Sequence, residues 1–382
     1  MGSLLAQRHD NRRRLRVLAV VDSLEVGGAQ HHLLALAQRM VRNGDEFLVA
    51  TSANEPMAAD FRDLNVPVRS LAASSIKHRL SPVFAGRLMR LAARGGYDLI
   101  HAHLFASSVA ACIAARVTKL PLVVTHHSMS TWQHGWERRL SNWVDRSADA
   151  VIAVSSNIAA TRRVPVRIIP NGVEIPDQRW TAHEIATART KLGVPIDAFT
   201  VSFVGRFTED KNPLLYVEMA ALVGAQAPDA HFLLIGDGPL RNAAERRAAE
   251  LGIGARMTFA GFQPDAGRLH QIADALAVTS ASEGSPLVVL EAMAAGRPVV
   301  ATNVGDISHQ IADGETGYLV QPGDPDGLAR ALLALRDRSR WMNMGAAGRD
   351  RVLRFFPIQR TLQETLAVYR DVLQRGKLRT AA

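Results

Sequence analysis

Residues 282–301, SEGSPLVVLEAMAAGRPVVA, decide how the fold is read, because they set a helix between a small-residue loop and an extended segment. Ser285 suits an N-cap and Pro286 the first helical position, so a helix is expected to start there. Gly296 ends it, and Pro298 opens the apolar Val299-Val300-Ala301 as a strand. Glu283 then falls in the loop before the helix and Glu291 in its second turn. Two carboxylates so placed can grip two parts of one polar ligand. Alone they would read equally well as a solvated loop residue and a surface helix residue, and the flanking sequence decides.

On the N-terminal side, residues 276–280 read as a strand running into the Glu283 loop. Strands are also expected at 198–204, 231–235 and 257–260, with helices from Leu214 and over 240–251. The loop after 198–204 holds Gly205, Arg206 and Lys211. An arginine clamps phosphate oxygens through paired hydrogen bonds and a lysine neutralises a further oxygen, so the two suit a diphosphate. The competing reading pairs them with Glu209 and Asp210 at the surface, where such pairs contribute little. On the C-terminal side a strand at 318–320 precedes helical pattern from Asp324 to about Arg340. A last helix over 358–374 has a buried stripe at Leu362, Leu366, Tyr369 and Leu373.

The first half of the chain repeats this alternation. Residues 15–21, LRVLAVV, form a continuous apolar run, as in a parallel strand buried on both faces. The run leads through Gly27-Gly28-Ala29 into a helix over 30–40, a layout that turns backbone N–H groups toward an anion. Further strands are expected at 47–51, 98–101, 122–125 and 150–154, with helices at 81–93 and 106–117. Strands alternating with helices imply parallel sheets whose ligands gather at the strands' carboxyl ends. His101 and His103 follow one such strand, and His126 and His127 another. Their spacings lack the i, i+4 helical pattern of a zinc enzyme, so they suit a polar substrate better than a metal. Pro170-Asn171-Gly172 is a turn, and the domain junction is expected within 176–191.

A length of 382 residues with 47% hydrophobic and 21% charged residues is that of a globular protein of two or three domains. The formal net charge of +9 favours anionic partners without choosing among them. Residues 1–14 read as a basic arm, with Arg8, Arg12, Arg13 and Arg14 against Asp10. Cys112 is the only cysteine, so no intrachain disulfide is available, which fits a reducing compartment. No signal-peptide pattern or membrane-spanning run is seen. The expected location is the cytoplasm, with peripheral contact at an anionic inner membrane face as a further expectation.

The ordered set Gly27-Gly28-Ala29, Val123-Val124-Thr125-His126-His127, Pro170-Asn171-Gly172-Val173, Val204-Gly205-Arg206-Phe207 with Lys211-Asn212-Pro213, Ile235-Gly236-Asp237-Gly238-Pro239, and Glu283 to Glu291 resembles the family 4 retaining glycosyltransferases (glycosyl transferases group 1) over nearly the whole chain. The resemblance implies the α/β GT-B fold, two Rossmann-like domains facing each other across a cleft. It implies an acceptor domain at 15–180, a nucleotide-sugar donor domain at 190–355, and a helix at 357–382 crossing back to the first domain. Arg206, Lys211, Glu283 and His127 are the implied catalytic residues. Donor binding falls to Gly28, Ala29, Gly205, Arg206, Lys211, Gly236, Glu283, Gly284, Leu287 and Glu291, with Glu291 on the ribose and Glu283 on the transferred sugar. Acceptor binding is expected at His103, His127 and Trp132; the family's Thr-x-His pattern favours His127 over His126.

No cofactor is implied beyond a nucleoside-diphosphate sugar as donor substrate, and no Asp-x-Asp motif lies in a suitable loop, which argues against a required divalent metal. The expected acceptor is a glycan, a lipid-linked glycan or a small molecule, in the synthesis of cell-envelope polysaccharide or glycoconjugate. The alternatives are a sugar nucleotide epimerase of the same fold and, in another class, a basic nucleic-acid-binding module. The second lacks an aromatic-interleaved basic stretch or recognition motif, so no specific nucleic acid is expected. A dehydrogenase is disfavoured because the spaced three-glycine fingerprint is missing.

Overall fold

The computed structural model describes residues 14–53, 56–76, 79–129, 133, 135–175 and 178–381. They form two compact units: one from the described residues of Met1–Ala153, Arg162–Arg167 and Leu362–Ala382, the other from Val154–Thr161 and Ile168–Thr361. Apart from Arg14, the basic arm lies outside the described residues, as does Trp132.

The first sheet contains β1 (Arg16–Val21), β2 (Glu46–Thr51), β3 (Val68–Ser70), β4 (Leu99–His103), β5 (Leu122–His126), β6 (Ala150–Ala153) and β7 (Arg167–Ile168), in the order β3-β2-β1-β4-β5-β6-β7. Neighbours from β3 to β6 pair in parallel. The run at 15–21 is central because Val17 to Val21 are all fully buried, leaving no face for water. Helix Pro82–Arg94 crosses from the edge strand β3 to the central β4, Phe105–Thr118 and Gly135–Ser147 join β4 to β5 and β5 to β6, and the three pack side by side. Ser81 caps the first of them by accepting from the Phe84 N–H at 3.2 Å, with Pro82 at the first turn.

The second sheet contains β8 (Phe199–Val204), β9 (Ala230–Ile235), β10 (Met257–Gly261), β11 (Ala275–Val278), β12 (Val299–Thr302) and β13 (Gly317–Val320), in the order β10-β9-β8-β11-β12-β13. All its pairings are parallel. Its core joins Phe203, Phe207 and Tyr216 to Phe232, whose rings meet edge to face. The order reverses between β8 and β11, and the loops leaving these two central strands carry Arg206, Lys211 and Glu283.

Four readings change. The first domain was expected to run to residue 180, yet residues 154–161 and the described residues of 168–180 group with the second unit. Val173 exchanges backbone hydrogen bonds with the Phe356–Ile358 segment, and Asn157 Nδ2 donates to the Gly305 carbonyl at 2.5 Å. Second, a helix at Arg338–Phe355 was missed; Asp337 starts it by accepting from the Ser339 and Arg340 N–H groups. Third, Ser285 does not cap the helix of the opening stretch. Pro286 is still extended (φ −69°, ψ 124°), so the helix is Leu287–Ala294, and Ser285 Oγ instead accepts from Gln310 Nε2 at 3.1 Å. Finally, His101 and His103 lie inside β4 rather than beyond it, with 1% and 0% exposure.

Candidate active site

In the second unit, the ends of β8 and β11 are stitched together. Thr279 Oγ1 donates to the carbonyls of Lys211 and Asn212, and the Ala281 N–H donates to the Asp210 carbonyl at 2.8 Å. Asn212 takes the left-handed conformation (φ 50°) and caps helix Pro213–Gln226 through the Leu215 N–H. The two loops thereby bring Lys211 to Glu283, with Nζ 2.7 Å from each carboxylate oxygen. Ser280 Oγ adds a 2.6 Å hydrogen bond to Oε1. The expected alternative, Lys211 paired with Glu209 or Asp210, is not what forms. An ammonium has three donors and Glu283 takes two, so one N–H remains for an anion.

Backbone approach explains the glycines nearby. A Cβ on Gly236 would lie 1.9 Å from the Gly205 carbonyl oxygen, and one on Gly305 would lie 2.1 Å from that of Glu283; both residues also have positive φ. The loop at 284–286 is fixed by Asn171 Nδ2, which donates to the Ser285 carbonyl at 2.9 Å, and by Gln310. Gly172 lets the Asn171 turn lie against Ile358 and Thr361. Helix Leu287–Ala294 has no side-chain cap and no acid in its first turn, so the N–H groups from Leu287 onward are available to an anion. Arg206 is exposed, and its side chain has no hydrogen bond or ion pair among the described residues.

Glu291, partly exposed, faces Gly267, and its Oε2 lies 3.7 Å from His270 Nε2. His270 is buried and neither ring nitrogen has a hydrogen-bond partner among the described residues. Sequence reasoning missed it, because a histidine in a short helical turn carries no spacing signal.

In the first unit, Gly28 and Ala29 open helix Gly28–Arg42, which has no side-chain cap and no acid in its first turn. The parallel register sets His103 opposite Thr125, and period two brings His101, His103, Thr125 and His127 to one sheet face. His101 bonds Thr125 Oγ1 at 2.7 Å and the Tyr369 hydroxyl at 2.6 Å; His103 Nδ1 lies 2.9 Å from His127 Nε2. Burial, then the neighbouring histidines, holds the pKa values of His101, His103 and His127 well below the usual histidine range. These three rings are therefore neutral at neutral pH. His126 points the other way and pairs with buried Asp145 at 2.7 Å, a structural arrangement that leaves His127 as the histidine of the cluster. Among the described residues no group of three or more His, Cys, Asp or Glu could hold a metal ion.

Two open parallel sheets with interleaved helices, bearing a cation–carboxylate grip and uncapped helix N-termini, define an α/β protein of the GT-B fold. The family model described as glycosyl transferases group 1 matches residues 184–351, and that of glycosyltransferase family 4 matches residues 26–175. A D-inositol 3-phosphate glycosyltransferase from Nocardia farcinica is 32% identical over 90% of this chain and 86% of its own. The Corynebacterium efficiens protein of the same name is 30% identical over 81% and 82%. The crystal structure of Anabaena Alr3699/HepE in complex with UDP-glucose superposes with a TM-score of 0.83 at 25% identity, covering 93% of this chain and all of that one. The chain belongs to the family 4 glycosyltransferases and is an enzyme of that class.

Proposed function

We propose that the enzyme moves a sugar from a nucleoside-diphosphate sugar, a UDP-sugar by analogy with the Anabaena structure, to a hydroxyl of a glycan, lipid-linked or small-molecule acceptor, with retention of anomeric configuration. The observation that carries the reading is the Lys211–Glu283 pair, on the loop that also carries the exposed guanidinium of Arg206, which has no partner among the described residues. Departure of a nucleoside diphosphate builds negative charge on the leaving phosphate and positive charge on the sugar ring. Arg206 and the third N–H of Lys211 stabilise the first, aided by the N-terminus of helix Leu287–Ala294; this is the largest catalytic contribution. Glu283 is held by Lys211 and Ser280, which suits a carboxylate that accepts from sugar hydroxyls rather than a covalent nucleophile. The leaving phosphate takes the acceptor proton on the face it vacates. His127 serves the acceptor side, with the fully buried His103 hydrogen-bonded behind it. The relatives' name favours a small polar acceptor.

Glu291 is assigned the ribose hydroxyls. Glu291→Ala is expected to weaken binding of free UDP roughly 10- to 100-fold, the worth of one or two hydrogen bonds to a charged group. Isothermal calorimetry checks it, and unchanged affinity would remove Glu291 from the ribose site.

A basic outer layer supports the peripheral location. Arg87, Arg90, Arg94, Arg116, Arg138 and Arg139 are exposed on the three neighbouring helices Pro82–Arg94, Phe105–Thr118 and Gly135–Ser147, whose one solvent-accessible carboxylate is the partly exposed Glu137. Val83, Val117 and Trp136 are exposed among them. No helix among the described residues is long and apolar enough to cross a membrane. Co-sedimentation with anionic phosphatidylglycerol vesicles is expected at low salt and should fall steeply by about 0.5 M salt. Equal binding to neutral vesicles, or none to anionic ones, would refute the surface role.

A further inference from the structure

His103 and His127 share one hydrogen bond, Nδ1 to Nε2 at 2.9 Å, so only one of these nitrogens carries its proton there. His103 is fully buried, and its Nε2 has no hydrogen-bond partner among the described residues. The nearest ring, His101, has both nitrogens engaged by Thr125 and Tyr369 and lies tilted 46° to His103, with centroids 4.1 Å apart.

Two arrangements satisfy the shared bond. In one, His127 Nε2–H donates to His103 Nδ1; the proton of neutral His103 must then sit on Nε2, a buried N–H without an acceptor. In the other, His103 Nδ1–H donates to His127 Nε2, and what remains unpaired at His103 Nε2 is a lone pair. Orphaned buried N–H groups are rarer in folded proteins than under-satisfied acceptors, so the second arrangement is preferred.

We infer that His103 is a positioning residue which fixes His127 as the Nδ1–H tautomer, so that His127 meets its ligand as a hydrogen-bond donor to a sugar hydroxyl or ring oxygen. The single lone pair of neutral His127 is consumed by His103. His127 therefore has no basic nitrogen with which to take an acceptor proton, and it acts in orientation. This assignment rests on the reading that His127 faces substrate; its consequence is that the proton goes to the leaving phosphate.

The test is long-range 1H–15N NMR of the full-length chain labelled with 15N-histidine, at neutral pH without ligand, with His127 assigned by its loss in His127→Gln. His127 is expected to show a protonated Nδ1 and a bare Nε2. A protonated Nε2 with a bare Nδ1 would overturn the inference, whatever the enzyme's activity. His103→Asn, which keeps a side-chain N–H, should hold the His127 tautomer and change kcat less than threefold. His103→Leu should release the tautomer and raise KM about 10-fold with a smaller change in kcat. The wild-type spectrum decides alone if a variant fails to fold. A correct tautomer together with near-normal transfer by His127→Ala, on a verified donor and acceptor, would preserve the tautomer assignment and sink the substrate-facing reading instead.

Discussion

Replacing Arg206 by alanine is expected to lower turnover about 100-fold or more while moving the thermal midpoint by no more than about 2 °C. The first number is the scale on which loss of one donor to a developing charge slows an enzyme. The second follows from the structure: the side chain is exposed and makes no hydrogen bond or ion pair among the described residues, so its removal breaks nothing in the fold. Arg206→Lys should recover only part of the loss, because an ammonium cannot reproduce the two parallel hydrogen bonds of a guanidinium. Near-normal turnover of Arg206→Ala would remove this residue from the mechanism.

Lys211→Ala should fail in two ways at once. Turnover falls about 100-fold or more through loss of the second phosphate cation. Stability also falls, because the Glu283 side chain, only 6% exposed, loses its counter-charge and keeps a single hydrogen bond from Ser280. Breaking a buried pair by removing one partner costs about 3 kcal/mol, and a partly exposed lysine places this case at or below that figure. In the double variant Lys211→Ala/Glu283→Gln the stranded charge is gone, so the thermal midpoint should largely return while turnover stays low. Turnover that returns with stability would show that Lys211 only holds the fold. The contrast with Arg206→Ala would separate the two cations: under the proposed function Arg206 acts on the ligand alone, and Lys211 on the ligand and on the loop that presents Glu283.

Much of this arrangement was legible in the chain. Apolar runs such as 15–21 and 198–204 mark central parallel strands because burial on both faces leaves no room for polar alternation. The Gly236 and Gly305 turns are where another backbone passes too close for a Cβ. What escaped the sequence is pairing across long separations. Lys211 and Glu283 are 72 residues apart, and nothing local in either loop announces that the one neutralises the other. The same holds for Asn171, whose side chain anchors the Ser285 carbonyl from 114 residues away and draws its turn into the second unit. Helix Arg338–Phe355 was overlooked for a different reason: its buried positions Met344, Gly345, Gly348 and Val352 include two glycines, which hide the apolar stripe. Of the four histidines at strand ends, the i, i+2 rule would have separated His126 from His101, His103 and His127, since alternate residues of a strand face opposite sides.

Transfer from a nucleoside-diphosphate sugar with retention is tested by product analysis with a panel of nucleotide sugars and candidate acceptors. Release of nucleoside diphosphate should match glycosylated product one for one, and the proton coupling at the new anomeric centre should show the donor's own configuration. An inverted anomeric centre, or an isomerised sugar nucleotide formed without acceptor and with no transfer, would contradict the account.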